Sequence, residues 1–477
     1  MLTELPLISG FYISDSLPIS HQRCLNLYES IPDVEALSKK QLLGTPGVIQ
    51  LVNTGYEQES NRGADVKDDI YYFVNGTTLY RLNRIVDAFG GETYTTTDLG
   101  EISGTGRVSL AHNNTQLMIV VPGVKGYIYD ETASPALQEI SDGDFDANGQ
   151  PQMVVFVDGY FACITDEKKW VISALNNGMS WGALDFASAE SDPDSLVAPI
   201  VVNNQIYIIG TETTEGFQNA GGEGFPFVRN GLNIDKGCAA PFSVIKTNST
   251  FFMVGSGKNE SPTILMFTGN NYQKISTSAI DTVIQSYAKV DLLKTFSWTY
   301  SLQGNTFVGF TFPNNVFVYN LTTSKWHERA SQINELTRRW RINSVNRVYE
   351  KLIVGDSLDG RIGYLDQDTY TEYGANIHRE FSTQPFSNSG DEIVLAILEL
   401  TMESGVGNSA VVDPKVAMRI SKDGKTWTAD RLRSIGKKGE YYRRIIWRKT
   451  GRCDRFVVFN FKLTDAVKPV FIKLEYE

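Results

Sequence analysis

A strand, turn, strand unit repeats along this chain at nearly constant spacing, and no other feature restricts its fold as strongly. The unit is plainest at 153–164, where one apolar run, the pair Asp158-Gly159 and a second apolar run follow each other. Apolar or aromatic residues flank similar turns at Asn75-Gly76, Asn113-Asn114, Asn203-Asn204, Asn248-Ser249, Gly304-Asn305 and Asn346-Arg347. Counted from Asn75, Asn113, Asp158, Asn203, Asn248, Gly304 and Asn346, the steps are 38, 45, 45, 45, 56 and 42 residues. A period near 45 with short strands is the spacing of propeller blades, small antiparallel sheets stacked radially so that each buries its faces against the next.

A chain of 477 residues is too long for one ordinary core. The spacing therefore predicts an all-β protein: a six- or seven-bladed β-propeller with an inserted amphipathic helix, followed by a C-terminal β-sandwich. The 25 Phe, 22 Tyr and 7 Trp suit half-buried sheet. Residues 1–45, broken by Pro6, Pro18 and Pro32, read as an N-terminal arm, free or laid on a neighbouring subunit. The propeller is expected over 46–379, opening at the Pro46-Gly47 turn. Over 380–477 the period is lost and short strands suggest the sandwich.

The helix is expected at 275–287, where Ile275, Ala279, Ile280, Val283, Ile284 and Tyr287 recur at three- and four-residue spacing. It accounts for the long step between Asn248 and Gly304. Docked on the rim it is structural; alternatively Ile280, Ile284 and Tyr287 make a subunit contact.

Charge is unevenly spread. Residues 415–455 carry 14 Lys or Arg against 4 Asp or Glu, so a segment of +10 sits in a chain of net −11 and leaves −21 elsewhere. Arg431, Arg433, Arg443, Arg444, Arg448 and Lys449 are either the solvated faces of alternating strands or a docking surface for an acidic partner or DNA phosphates.

Other chemistry finds little support. The acidic stretch 142–149 places Asp144, Asp146 and Asn148 like the front half of a calcium loop, but Val155 stands where the bidentate Glu belongs, which favours a solvated loop with no metal. Cys24, Cys163, Cys238 and Cys453 are far apart and read as buried thiols. The glycines of 210–227 match no phosphate loop, so no cofactor is expected. His21, His112, His327 and His378 are isolated from one another, and no hydrolase motif accompanies them. Ser421 to Trp427 resembles a sialidase Asp-box, one residue short and present once, which reads as a hairpin device. A glycan-binding or glycan-cleaving propeller is the alternative this leaves. Neither a signal peptide nor a membrane-spanning run is expected.

The segments Arg23-Cys24-Leu25-Asn26-Leu27-Tyr28, Gly44-Thr45-Pro46-Gly47, Gly106-Arg107-Val108-Ser109, 186–194, 210–227, 275–287 and Ile446-Trp447-Arg448-Lys449-Thr450-Gly451-Arg452 together resemble the packaged-DNA stabilisation proteins of short-tailed phages, also called tail accessory factor, tail hub or nozzle. The resemblance implies a structural virion protein of the tail, not an enzyme. It implies a ring, expected to be a hexamer, below the portal-adaptor ring. Such a ring continues the DNA channel without specific DNA binding, helps retain the genome until ejection, and carries the tail needle or plug and the tailspikes or tail fibres.

Overall fold

Asp158 and Gly159 both adopt positive φ, 47° and 89°, and this pair reverses the chain between the strands Pro151–Val157 and Tyr160–Thr165. Two left-handed residues in succession give the tight hairpin whose twist matches the flanking strands. The computed structural model describes residues 3–477 apart from 9, 33, 58–60, 189–193, 223 and 389–390. Residues 189–193 of the polar connection after Asp185, and Glu223 of the glycine-rich stretch, thus lie outside the described residues.

Seven antiparallel sheets follow one another. The first six span 61–101, 109–139, 151–188, 196–234, 237–274 and 296–328. The seventh joins Ile342–Val348, Lys351–Asp356 and Arg361–Asp366 to Gly47–Asn53, a strand from the start of the chain. The strand that opens the propeller and the three that end it thus close the ring within one sheet. The protein is all-β apart from a few short helices, a propeller followed by a C-terminal sandwich.

The second strand of every sheet is apolar on both faces because both faces pack on neighbours. Along Ile70–Asn75, Tyr71 and Phe73 face the seventh sheet with Ile353 and Ile362, while Tyr72 and Val74 face the second with Leu117 and Ile119. Met118 and Val120 then meet Phe161 and Cys163 of the third. Ala162 and Ile164 meet Ile206 and Ile208 of the fourth, and Tyr207 and Ile209 meet Phe251 and Met253 of the fifth. Phe252 and Val254 pack on Val308 and Phe310 of the sixth; Phe307 packs with Leu352 and Val354 of the seventh. Strand alternation delivers each successive side chain to the opposite neighbour, and the circuit closes. The four cysteines are buried and free.

Three turn assignments shift, the slightest being Gly304-Asn305, which moves back one residue to Gln303-Gly304, φ 47° and 73°. Asn75-Gly76 joins the second and third strands of its sheet, and the turn between the first and second is Asp68-Asp69, with φ 51° and 57°. Asn346 and Arg347 lie inside the strand Ile342–Val348, and the turn is Tyr349-Glu350, φ 54° and 61°. Counting from Asp68, Asn113, Asp158, Asn203, Asn248, Gln303 and Tyr349, the steps become 45, 45, 45, 45, 55 and 46. Only the interval holding the helix departs from the period.

Residues 3–53 stitch the molecule together. Thr3–Leu5 pairs with Val470–Tyr476 of the sandwich. Cys24–Leu25 lies between Lys325–Glu328 of the sixth sheet and Arg379–Ser382 of the sandwich, so one sheet of nine strands runs from propeller into sandwich. The hairpin of Leu27–Ser30 and Gln41–Gly44 extends the other sandwich sheet. Leu5, Ile8, Cys24, Leu27 and Leu42 accordingly sit in the sandwich core with Trp447, Phe459 and Phe461.

Candidate assembly surfaces

The basic segment forms one edge of the sandwich. Arg431–Ser434 pairs with Lys415–Ser421, and Ile445–Cys453 pairs with Ile393–Met402 in the facing sheet. Arginines bridge the two edges: the Arg431 guanidinium donates to the Arg448 carbonyl at 2.7 Å, and Arg433 Nε donates to the Ile446 carbonyl at 2.8 Å. Trp447, wholly buried, anchors the arrangement by donating from Nε1 to the Arg431 carbonyl at 2.8 Å. Arg433, Arg443, Arg448 and Lys449 are exposed beside Leu432, Tyr441 and Tyr442, the last 99% exposed.

Arg444 belongs to a different class. It forms a two-pronged pair with Glu399, Nε to Oε1 at 2.7 Å and the terminal nitrogen to Oε2 at 2.5 Å. Glu399 is itself buried, and it engages the Arg444 guanidinium in an ion pair while that side chain stays 65% exposed. The structure therefore brings all six predicted cations to one edge of the sandwich and commits one of them, Arg444, to an ion pair.

The helix Ser278–Ser286 is capped by Thr277, whose side chain accepts from the Ile280 N–H. Ile280 and Ile284 have no exposed surface; they fill the core between the fifth and sixth sheets with Phe252, Phe310 and Phe317. This corrects the expectation of a subunit contact through those side chains, since the apolar face is consumed within the chain. Tyr287 stacks on Phe312 and donates from its hydroxyl to Asn315 at 2.8 Å. The helix turns Thr282, Gln285 and Ser286 outward.

At 142–149 the chain makes a helical turn instead of a metal loop. Asp142 caps Gly143–Asp146 by accepting from the Asp144 and Phe145 amides. Asn148 donates to the Asp144 carbonyl at 2.9 Å and accepts from Lys169 at 3.4 Å, so its amide is committed at both ends. Asp144 and Asp146 lie within that single helical turn. Among the described residues no group of three or more His, Cys, Asp or Glu could hold a metal ion.

Asp423 accepts from the Lys425 and Thr426 amides and the Thr426 hydroxyl, at 2.8, 2.7 and 2.7 Å. These donors hold its pKa far below the usual carboxylate range. The turn is fastened by its own Asp, with Trp427 packed against Arg419 and His21. No helix is long and apolar enough to cross a membrane among the described residues.

A polar network at the junction escapes sequence inspection because its members are hundreds of residues apart. Glu380, buried, receives Arg23 at 3.2 Å, Arg419 at 3.0 Å and Asn460 at 2.8 Å, while Arg23 also reaches Glu328 at 3.3 Å. Burial works against the charge on Glu380, yet these donors keep its pKa below the usual value. One cluster thus ties the N-terminal segment, the propeller and the sandwich.

Comparison with known proteins follows the same division. Residues 3–370 match the family model described as bacteriophage P22 Gp10, beta-propeller, and residues 378–477 match bacteriophage P22 Gp10, beta-sandwich. The chain belongs to the bacteriophage P22 Gp10 family. Tail hub protein gp10 of Salmonella phage P22 is 21% identical over 397 residues, covering 80% of this chain and 82% of that protein. Membership in the Gp10 family supports a tail-hub role and a place in the virion tail. Solved structures that overlap this chain include the WD40 propeller domain of Doa1, at 13% identity and TM-score 0.41 over 68% of this chain and 97% of that one. BamB from Moraxella catarrhalis overlaps at 9% identity and TM-score 0.39, over 67% and 97%. For this Gp10 family chain the propeller rests on the sheet order and the family match.

Proposed function

We propose that the chain is a ring-forming subunit of a phage tail hub, a hexamer seated below the portal-adaptor ring, which continues the DNA channel, helps retain packaged DNA until ejection, and supports the tail needle and tailspikes or fibres. The observation that carries this reading is the pair of family matches that tile the chain in order, propeller then sandwich. The construction supports it: seven sheets, read as seven blades, make a closed wall, and a net charge of −11 favours passage of DNA over adhesion to it. We divide the chain into an N-terminal segment of 1–45, the propeller of 46–379 and the sandwich of 380–477. The role is structural rather than enzymatic.

The cations of the sandwich edge, half-buried Arg431 and exposed Arg433, Arg443, Arg448 and Lys449, are proposed to dock an acidic neighbour in the tail. Any subunit contact at the helix is proposed to use its outward residues, with Tyr287 at the margin. Electron microscopy and sedimentation of the purified protein, alone and with the portal-adaptor complex, test the assembly. Rings on that complex are expected; a monomer that ignores the complex and cleaves a surface glycan overturns the reading.

A further inference from the structure

The first strands of the sheets surround the propeller axis, and where several of them begin there is a cleft of about 720 Å³. Arg62, Arg107, Lys294 and Arg339 line it, and no Asp or Glu does among the described residues. In a chain with 55 acidic residues against 44 basic, a cleft lined by four cations and by no acid is an organised exception.

The arginines are held in place by neutral groups. Phe296 carries two guanidinium groups, Arg107 at 3.8 Å from the ring centre and Arg339 at 5.8 Å. Asn343 holds both: its carbonyl accepts from Arg107 at 2.9 Å and its side-chain oxygen from Arg339 at 3.1 Å. Arg107 Nε is buried and has no hydrogen-bond partner, and neither has the hydroxyl of Ser357, which lines the same cleft. Arg62 gives four of its five N–H donors to the carbonyls of Gly76, Ile102, Ser103 and Gly106, so it lends chiefly fixed positive charge. Lys294, exposed at the rim, pairs with Asp291 at 2.9 Å. Two like charges fixed around one aromatic ring repel each other, and burial adds to the cost of both. Burial, and then the charge of Arg339, push the Arg107 pKa down to about 9. An anion between them removes the repulsion and supplies the missing acceptor.

We propose that this cleft is an oxyanion-binding site in which Arg107 and Arg339 grip a carboxylate or phosphate group and Ser357 contributes a hydroxyl. The fork of an arginine suits either group, and a charge-assisted bond in a partly desolvated cleft is stronger than one at an open surface. The carboxylate source is an Asp or Glu of a neighbouring chain; the phosphate source is free phosphate.

Calorimetric titration of the full-length protein with inorganic phosphate and with acetate, each against sodium chloride at matched ionic strength, tests the site. A saturable response is expected, and Arg339→Gln is expected to weaken it about tenfold, the scale of one lost charge-assisted bond. Arg339 makes one side-chain hydrogen bond to Asn343 at the cleft, so this variant is the cleaner probe should Arg107→Gln impair folding. Saturation by phosphate alone supports the site and assigns it to free phosphate. Saturation by acetate supports it and assigns it to a protein carboxylate. Responses no different from chloride, or equal saturation in wild type and Arg339→Gln, overturn it.

Discussion

Asn26 and Ala330 are joined twice: the Ala330 N–H donates to Asn26 Oδ1 at 3.0 Å, and Asn26 Nδ2 donates to the Ala330 carbonyl at 2.9 Å. Nδ2 also donates to the His378 carbonyl at 2.8 Å. One amide side chain thus performs the pairing of a strand across the place where N-terminal segment, propeller and sandwich meet. Asn26 is buried and left-handed, φ 53°, a conformation asparagine tolerates better than most residues. Asn26→Ala leaves two carbonyls and an amide without partners in a dry site, so it is expected to lower stability by about 3 kcal/mol. Urea unfolding followed by tryptophan fluorescence measures it, and an unchanged midpoint removes the role assigned to this residue.

Ile280 gives a second prediction, one that separates folding from assembly. Its side chain is wholly inside the chain, so Ile280→Ala is expected to cost about 2 to 5 kcal/mol in the isolated protein. Gln285→Ala, on the outward face, is expected to leave the melting temperature within about a degree of wild type, as surface substitutions rarely exceed about 0.5 kcal/mol. A melting scan of both variants decides between a core helix and one that waits for a partner.

The imidazole of His327 is buried against the rings of Tyr28 and Phe307. Burial, and then the charge of Arg329, push its pKa down to about 3. The unfolded chain takes up this proton near pH 6.5, and the folded chain resists until about 3. Full stability from this group is therefore present above pH 6.5 and is lost as the pH falls through that window, at up to about 1.4 kcal/mol per pH unit. His327→Phe should flatten the acid side of a stability-against-pH curve. An unchanged slope between about pH 6 and 4 excludes His327 as its source.

Periodicity in the sequence carried the propeller because the turns at Asn113, Asp158, Asn203 and Asn248 use residues that favour reversals. The turn at Tyr349-Glu350 gave no such signal, since neither residue advertises a positive φ, and Asn346 three residues earlier drew attention away from it. The weave of the described residues up to 53 was equally hidden. A two-residue strand such as Cys24–Leu25 is too short for an alternating pattern, and its partners Glu328, Phe381 and Glu380 lie more than three hundred residues away. The cation cleft was invisible for the same reason, because Arg107, Phe296 and Arg339 meet only when the ring closes. The basic edge could be read as a charge run, but the capture of Arg444 by Glu399 could not.

That capture determines how the docking proposal must be tested. Reversing Arg444 strands a buried carboxylate beside a second negative charge, so Arg444→Glu is expected to lower the melting temperature of the protein whether or not the edge binds anything. The informative variant reverses Arg433, Arg443 and Arg448 to Glu and leaves Arg444 in place. Arg433 and Arg448 are exposed, and the Arg433 guanidinium bonds only to the backbone carbonyls of Ile446 and Leu432, so the triple variant is expected to fold with little change in melting temperature. If the edge meets an acidic neighbour, binding to the portal-adaptor complex falls sharply at low salt. The gap from wild type then narrows as ionic strength rises from about 0.05 to 0.5 M, because screening weakens the native attraction and the new repulsion together. Sedimentation across that salt series measures both trends. Wild-type binding by the triple variant at every salt concentration makes these side chains a solvated face and moves the docking surface elsewhere.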